Sequence, residues 1–261
     1  MIHHLNCASF APRLVGPMVA HVLLVERPDG LLLVDSGFGT ADLADSIRLG
    51  RAFKAVMRPV LRPAETALAQ VEELGFRADD VTDIVLTHLD LDHAGGVSDF
   101  PAATVHVYDA ELDAARHPQG MEHGRYLEVQ WKDARFATHH AEGDDWFGFE
   151  SVTVLGDDVL MVPLHGHSRG HALVAVRDPD VPEGWQLHAG DSYFHRGDMT
   201  DPPTTPRVLR VVQKVLAQDD AVRVANQARL RELVQAGHPE LRIFSAHDPV
   251  ELEAFAPTAP A

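Results

Sequence analysis

The sequence predicts an α+β protein, an αββα four-layer sandwich with two sheets packed on each other and helices outside. Three observations lead there. Strand-like runs and helical stripes follow one another as strands, helix, strand, helix, then strands, helices, strand. The first strand-like runs are apolar almost throughout, as strands covered on both faces should be. The densest polar clusters fall where a strand-like run gives way to a loop, the place where a rigid scaffold presents chemistry.

In chain order, segments 19–26 and 31–35 flank Pro28-Asp29-Gly30, a turn signal, and read as a hairpin. After Pro63, the residues Ala64, Ala67, Leu68, Val71 and Leu74 recur at helical spacing, and Gly75 stops the helix. Segment 84–87 is a short strand that leads into His88. Segments 152–155, 159–163, 172–177 and 185–189 read as strands. Val208, Val211, Val212, Val215 and Leu216 form a helical stripe, with Thr205 as its cap and Pro206 at the first helical position. A further helix covers about 221–236 and ends at Gly237, and a last strand at 241–245 leads into His247. With no Gly/Ser linker or fixed repeat, 1–255 reads as one domain and 256–261, all Ala, Pro and Thr, as a frayed tail.

The 261 residues are 45% hydrophobic and 23% charged, enough apolar material for a real core. The net charge of −17 repels phosphate backbones, so nucleic acid is not an expected partner. Cys7 is the single cysteine, which excludes an intrachain disulfide and fits a reducing compartment. No stretch approaches the roughly 20 apolar residues of a membrane span, and the N-terminus lacks the basic start and apolar run of a secretory signal. The expectation is a soluble cytoplasmic protein with neither a nucleic-acid nor a membrane partner. The unusual count is 17 histidines.

The strongest chemical signal is Thr87-His88-Leu89-Asp90-Leu91-Asp92-His93-Ala94-Gly95-Gly96. His88, Asp90, Asp92 and His93 are imidazoles and carboxylates too dense to bury unless a cation pairs with them. A metal centre answers that need, and the glycines let the backbone pass closely. A solvated Asp/His loop is the bland alternative, and the leucines alternating with the ligands argue against it. His167, Asp191 and His247 each follow a strand-like run. Each is weak alone, and together with the first motif they complete a site.

These motifs resemble the metallo-β-lactamase superfamily, from Val34-Asp35-Ser36-Gly37 to His247, and most of all its N-acyl-homoserine lactonase branch. Ile243-Phe244-Ser245-Ala246-His247-Asp248 echoes that branch closely. The resemblance implies the αββα metallo-β-lactamase fold and two divalent metal ions, zinc with iron or manganese as alternatives. One ion would take His88, Asp90 and His167, and the other Asp92, His93 and His247. Asp191 would bridge them, and Asp35 would orient a ligand or be a plain turn residue. It further implies hydrolysis by a metal-bridging hydroxide, with Asp92 moving a proton, on lactones or related small, uncharged, partly apolar esters such as quorum signals.

Two departures stand out. The family's motif is His-x-His-x-Asp-His, and here Asp90 replaces the second His. With three aspartates and a bridging hydroxide the dinuclear centre is neutral, where His at 90 would leave one positive charge. Asp90 is thus expected to weaken the Lewis acid and to shift preference from zinc towards iron or manganese. Lactonase relatives also carry a Tyr three residues after the bridging Asp. Here that position is Phe194, and Tyr193, one residue early, is either a catalytic group or a packing residue.

Rival readings are a phosphotriester or thioester hydrolase, a diiron redox protein and a non-catalytic metal binder. Arg48, Arg51, Lys54, Arg58 and Arg62 make a basic amphipathic segment broken near Pro59, read as a solvated face, an active-site rim, a homodimer contact or, least of all, a membrane-surface contact. Met121, Tyr126, Trp131, Phe136, Trp146, Phe147 and Phe149 are expected either to wall a substrate pocket or to be ordinary core. His165 and His171 flank a ligand and are candidates for supporting it; His3, His4, His21, His139 and His140 read as structural or exposed.

Overall fold

The computed structural model describes residues 1–141 and 144–255, so the expected frayed tail at 256–261 lies outside the described residues. Strand β1 (Ile2–Phe10) pairs antiparallel with β2 (Met18–Arg27), which turns into β3 (Gly30–Val34). Two short helices, α1 (Thr40–Ala44) and α2 (Arg51–Met57), precede the edge strand β4 (Pro59–Val60). Helix α3 (Ala67–Glu73) begins at Thr66, whose side chain accepts the Ala69 N–H at 3.2 Å. Then follow β5 (Val81–Val85), β6 (Thr104–Tyr108), α4 (Asp109–Arg116) and β7 (Arg135–His139). The second half holds β8 (Asp144–Trp146), β9 (Phe149–Leu155), β10 (Val159–Pro163), β11 (Ala172–Arg177) and β12 (Trp185–His188). It closes with α5 (Arg207–Leu216), α6 (Asp220–Gln235), β13 (Leu241–Phe244) and α7 (Pro249–Glu253).

One sheet has the order β4-β1-β2-β3-β5-β6-β7, antiparallel as far as β3 and parallel beyond it. The other has the order β13-β12-β11-β10-β9-β8, antiparallel except for the β12–β13 pair. The strand period of two sorts the core. Leu23, Val25, Leu32 and Val34 face Met161, Val174, Val176 and Phe244 between the sheets. Their neighbours Val22, Leu24, Leu31 and Leu33 face outward onto Ala67 and Val71 of α3. On the far side, Leu160, Val162, Leu173 and Leu187 pack against Leu230 and Leu233 of α6. Helix, sheet, sheet and helix are the expected four layers, and continuous apolar strands are what two covered faces require. Among the described residues no helix is long and apolar enough to cross a membrane.

Several elements escape the sequence patterns. Polar residues punctuate β1, and its histidines are satisfied across the sheet: His3 meets Glu26 at 2.7 Å, and His4 meets His21 at 2.7 Å. His106 in the middle of β6 bonds Asp83 at 2.9 Å and His139 of β7 at 3.0 Å. The capping expectation at α5 is corrected, because Pro206 is itself the N-cap and Thr205 makes no cap bond. The basic segment is not one amphipathic helix. It is a 3-10 turn, then α2 ended by a left-handed Arg58, then β4. Arg48 pairs with the buried Asp42 at 3.1 Å, and Arg62 with Glu65 at 2.5 Å. The aromatic residues do not gather around one pocket. Tyr126, Trp131 and Phe136 join the α3-side core, whereas Trp146, Phe147 and Phe149 join the α6-side core. The side chain of Met121 lies outside what is described.

Candidate metal centre

The cluster forms where strands stop. His88, Asp90, Asp92 and His93 follow β5, His167 lies in the β10–β11 loop, Asp191 follows β12 and His247 follows β13. The Ala94-Gly95-Gly96 stretch passes tightly under the Ser36–Phe38 turn, and a Cβ at Gly96 would sit 2.6 Å from the Ser36 carbonyl oxygen. At Gly190 the φ of +52° and a Cβ position only 2.6 Å from His171 Nε2 both require glycine, and the turn it makes aims Asp191 inward.

Two donor groups result, His88–Asp90–His167–Asp191 and Asp92–His93–His247, in each of which the ligand atoms lie within 4.8 Å of one another. Asp191 joins them. Its Oδ2 lies 3.2 Å from His167 Nε2 and 3.8 Å from His88 Nε2. Its Oδ1 lies 3.0 Å from His247 Nε2 and 3.3 Å from His93 Nε2. Asp90 Oδ2 stands 3.1 Å from His167 Nε2 and 3.4 Å from His88 Nε2, and Asp92 Oδ2 stands 4.0 Å from His247 Nε2. Donors on a tetrahedron with metal bonds of 2.0–2.1 Å are spaced about 3.4 Å apart, so these separations suit divalent ions.

The hydrogen bonds behind the imidazoles say the same. His247 Nδ1 donates to the Val19 carbonyl at 2.7 Å, and a carbonyl can only accept. His93 Nδ1 faces Asp35 Oδ2 at 2.8 Å, and His88 Nδ1 faces the Thr87 hydroxyl at 2.9 Å. A neutral ring held by Nδ1–H turns the lone pair of Nε2 towards the aspartates, which brings acceptor against acceptor unless a cation intervenes. Nε2 of His88 and of His93 and Oδ1 of Asp191 are buried with no hydrogen-bond partner. Protons on all the rings would serve poorly, since His88 and His93 have their ring centroids 4.0 Å apart. Burial pushes the Asp191 carboxyl up, but His247, His93 and His167 around it hold it well below the usual carboxylate range. The residues present fit two divalent cations.

Asp35 takes up the orienting position. Besides His93, it accepts the Thr87 N–H at 2.8 Å. His171 supports Asp191, because its Nδ1 donates to the Leu164 carbonyl at 3.1 Å and its Nε2 accepts the Asp191 N–H at 2.9 Å. Tyr193 is not brought to the cluster. Its hydroxyl donates to Glu251 at 3.1 Å, its ring belongs to the α6-side core, and with Glu251 it lines a cavity of about 120 Å³. Of the two readings of Tyr193, the packing one matches this placement and the catalytic one does not. Phe194 faces the site instead, its ring centroid 5.0 Å from that of His247.

Two residues have no signal in the sequence. Glu111 of α4, fully buried, accepts the Leu89 N–H at 3.0 Å on one oxygen, and the Ser168 hydroxyl at 2.6 Å and the Gly170 N–H at 3.0 Å on the other. It thereby ties the β5 loop to the β10–β11 loop. Arg125 pairs with Asp90, Nε to Oδ1 at 3.4 Å. Neither stands near a motif, and only the folded chain places them.

An αββα sandwich with such a donor set at its strand ends defines a metal-dependent hydrolase. The model of the metallo-beta-lactamase superfamily matches residues 15–238, and the chain belongs to that superfamily. It is 44% identical over 253 residues to a probable metallo-hydrolase of Mycobacterium tuberculosis, covering 95% of this chain and 80% of the relative. It is 31% identical over 159 residues to the N-acyl homoserine lactonase AttM of Azorhizobium caulinodans, covering 60% of this chain and 59% of the relative. Among solved structures it is similar to an N-acyl homoserine lactone hydrolase with N-hexanoyl-L-homoserine at its catalytic metal centre. The TM-score is 0.74 at 18% identity, over 97% of this chain and 95% of that one, a likeness of fold.

Proposed function

We propose that this chain opens lactones or related small, uncharged, partly apolar esters at a dinuclear centre. His88, Asp90 and His167 serve one ion, Asp92, His93 and His247 the other, and Asp191 both. The observation that carries this reading is the split of Asp191, one carboxylate oxygen to each donor group. Two bound divalent ions supply a water acidic enough to attack at neutral pH and polarise the substrate carbonyl. The chain's own part is to hold them and to handle the proton. Asp92, a buried carboxylate in the donor group with His93 and His247, is placed for that second task. A lactone suits the site because its leaving alkoxide stays tethered after ring opening.

The substrate class follows from the apolar side chains packed beside the donor groups. Phe10, Phe38, Leu91, Phe194 and Leu209 form one apolar cluster, with Phe53 and Met57 of α2 packed on it. Phe10 and Phe194 both place their rings against His247. An acyl chain fits such a wall better than an anionic substrate does. Zinc is the expected metal, with iron or manganese tolerated by so carboxylate-rich a donor set. The test is pH-stat hydrolysis of short- and long-chain acyl-homoserine lactones by protein loaded with Zn, Mn, Fe or Co. Turnover that disappears in Asp191→Ala is the expected result. Two bound metals without turnover would refute the lactone reading and leave phosphotriesters and thioesters to be assayed.

A further inference from the structure

Asp90 is the residue in which this chain departs from its family's motif, and the fold sets a cation behind it. Tyr126 forms an isolated antiparallel bridge with Asp90, which brings the preceding Arg125 alongside. The Arg125 side chain is mostly buried, at 11% exposure, as is that of Asp90 at 15%. The guanidinium is held on three sides. Nε faces Asp90 Oδ1 at 3.4 Å, Nη1 donates to the His167 carbonyl at 2.8 Å, and Nη2 donates to the Leu216 carbonyl at the end of α5. The other Asp90 oxygen, Oδ2, is the one turned to His88 and His167.

From this geometry we infer that Arg125 is a positioning residue that makes a carboxylate serve where the family has an imidazole. The ion pair draws Oδ1 to the guanidinium side, so Oδ2 is the oxygen left facing His88 and His167. The guanidinium also balances the charge that Asp90 adds. The centre with its ion pair then has the charge it would have with a neutral His at 90 and no arginine. That revises the expectation that Asp90 weakens the Lewis acid. A planar guanidinium does this better than a lysine, because it can donate to two carbonyls while its Nε edge faces the carboxylate. A buried guanidinium left without its carboxylate would stand as an unpaired cation beside a metal site. Arg125 and Asp90 therefore form a unit, and each is harmful without the other.

The inference rests on the metal reading of the cluster, and the test keeps the two apart. Full-length protein is loaded with zinc and dialysed against graded EDTA, and metal per chain is measured with the thermal midpoint as a check on folding. Wild type should keep two ions per chain; if it binds none, the metal reading itself falls. Arg125→Gln should hold the His88–Asp90–His167 ion about 10–100-fold more weakly, the usual cost of losing a ligand's partner, and keep the other ion. Arg125→Lys should lie between. Asp90→His alone should also lose that ion, since the arginine is then unpaired. The double variant Asp90→His/Arg125→Gln should regain it. If wild type binds two ions and Arg125→Gln binds them as tightly, the inference is overturned. The same holds if the double variant is no better than the single ones, because an arginine that only ties loops together would carry its loss into the double variant.

Discussion

Removing the Glu111 carboxyl group should unfasten one half of the proposed metal centre. Glu111 is fully buried, and its two oxygens accept from Leu89, between His88 and Asp90, and from Ser168 and Gly170, beside His167. Glu111→Ala leaves the Leu89 and Gly170 amides without an acceptor, while the Ser168 hydroxyl is free to rotate. A buried donor without a partner costs roughly 1–3 kcal/mol, so the pair costs about 2–6 kcal/mol. For a chain of this size each kcal/mol lowers the midpoint by about 2–4 °C, which sets the expected drop at roughly 8–16 °C for the middle of that range. Both loops served by Glu111 carry members of the His88–Asp90–His167 donor group, so the ion proposed there should be lost first and the one proposed at Asp92–His93–His247 kept. Glu111→Gln retains a single acceptor oxygen and should fall between the variant and wild type. Calorimetry and metal analysis on the three proteins read both effects. A midpoint within about 2 °C of wild type, less than 1 kcal/mol, together with two retained ions, would refute the reasoning.

Gly190→Ala should cost about 2–4 kcal/mol, from a left-handed alanine and a Cβ placed 2.6 Å from His171 Nε2. It should also abolish turnover by turning Asp191, and a fully active variant would contradict that geometry. Tyr193→Phe should leave turnover unchanged and remove roughly 1 kcal/mol of stability, since its hydroxyl bonds Glu251 and not the cluster; a collapse of activity with the fold intact would restore its catalytic role. Burial pushes the Glu251 carboxyl up to about 7 from 4.5, so in that window the fold holds a proton that the unfolded chain releases. This contribution to stability is complete below about pH 4.5 and is lost as pH rises through about 7. The stability of wild type relative to Glu251→Gln should therefore fall by about 2 kcal/mol between roughly pH 5 and 8 in denaturant titrations, and a flat difference would count against it.

Much of this protein is legible in its sequence, and the reason is local. Continuous apolar runs announce strands covered on both faces, and four ligands within one loop announce a cation, because each signal depends on neighbours in the chain. His167, Asp191 and His247 are legible as later members of the donor set because each follows a strand-like run. Strands β1 and β6 are not, since their histidines and serine break the apolar pattern and find partners only in distant segments, the histidines across the sheet and Ser9 at Glu65.

What only the tertiary structure decided is which distant groups meet. The turn at Gly190 to Ser192 determines that Phe194 faces His247 and that Tyr193 faces Glu251, a choice of side that adjacent aromatics do not reveal. Arg125 reaches Asp90 from 35 positions along the chain, and Glu111 joins two loops that lie 81 residues apart at Leu89 and Gly170. Single charged residues in aperiodic segments look like solvated surface until folding buries them, and burial without water is what obliges them to pair.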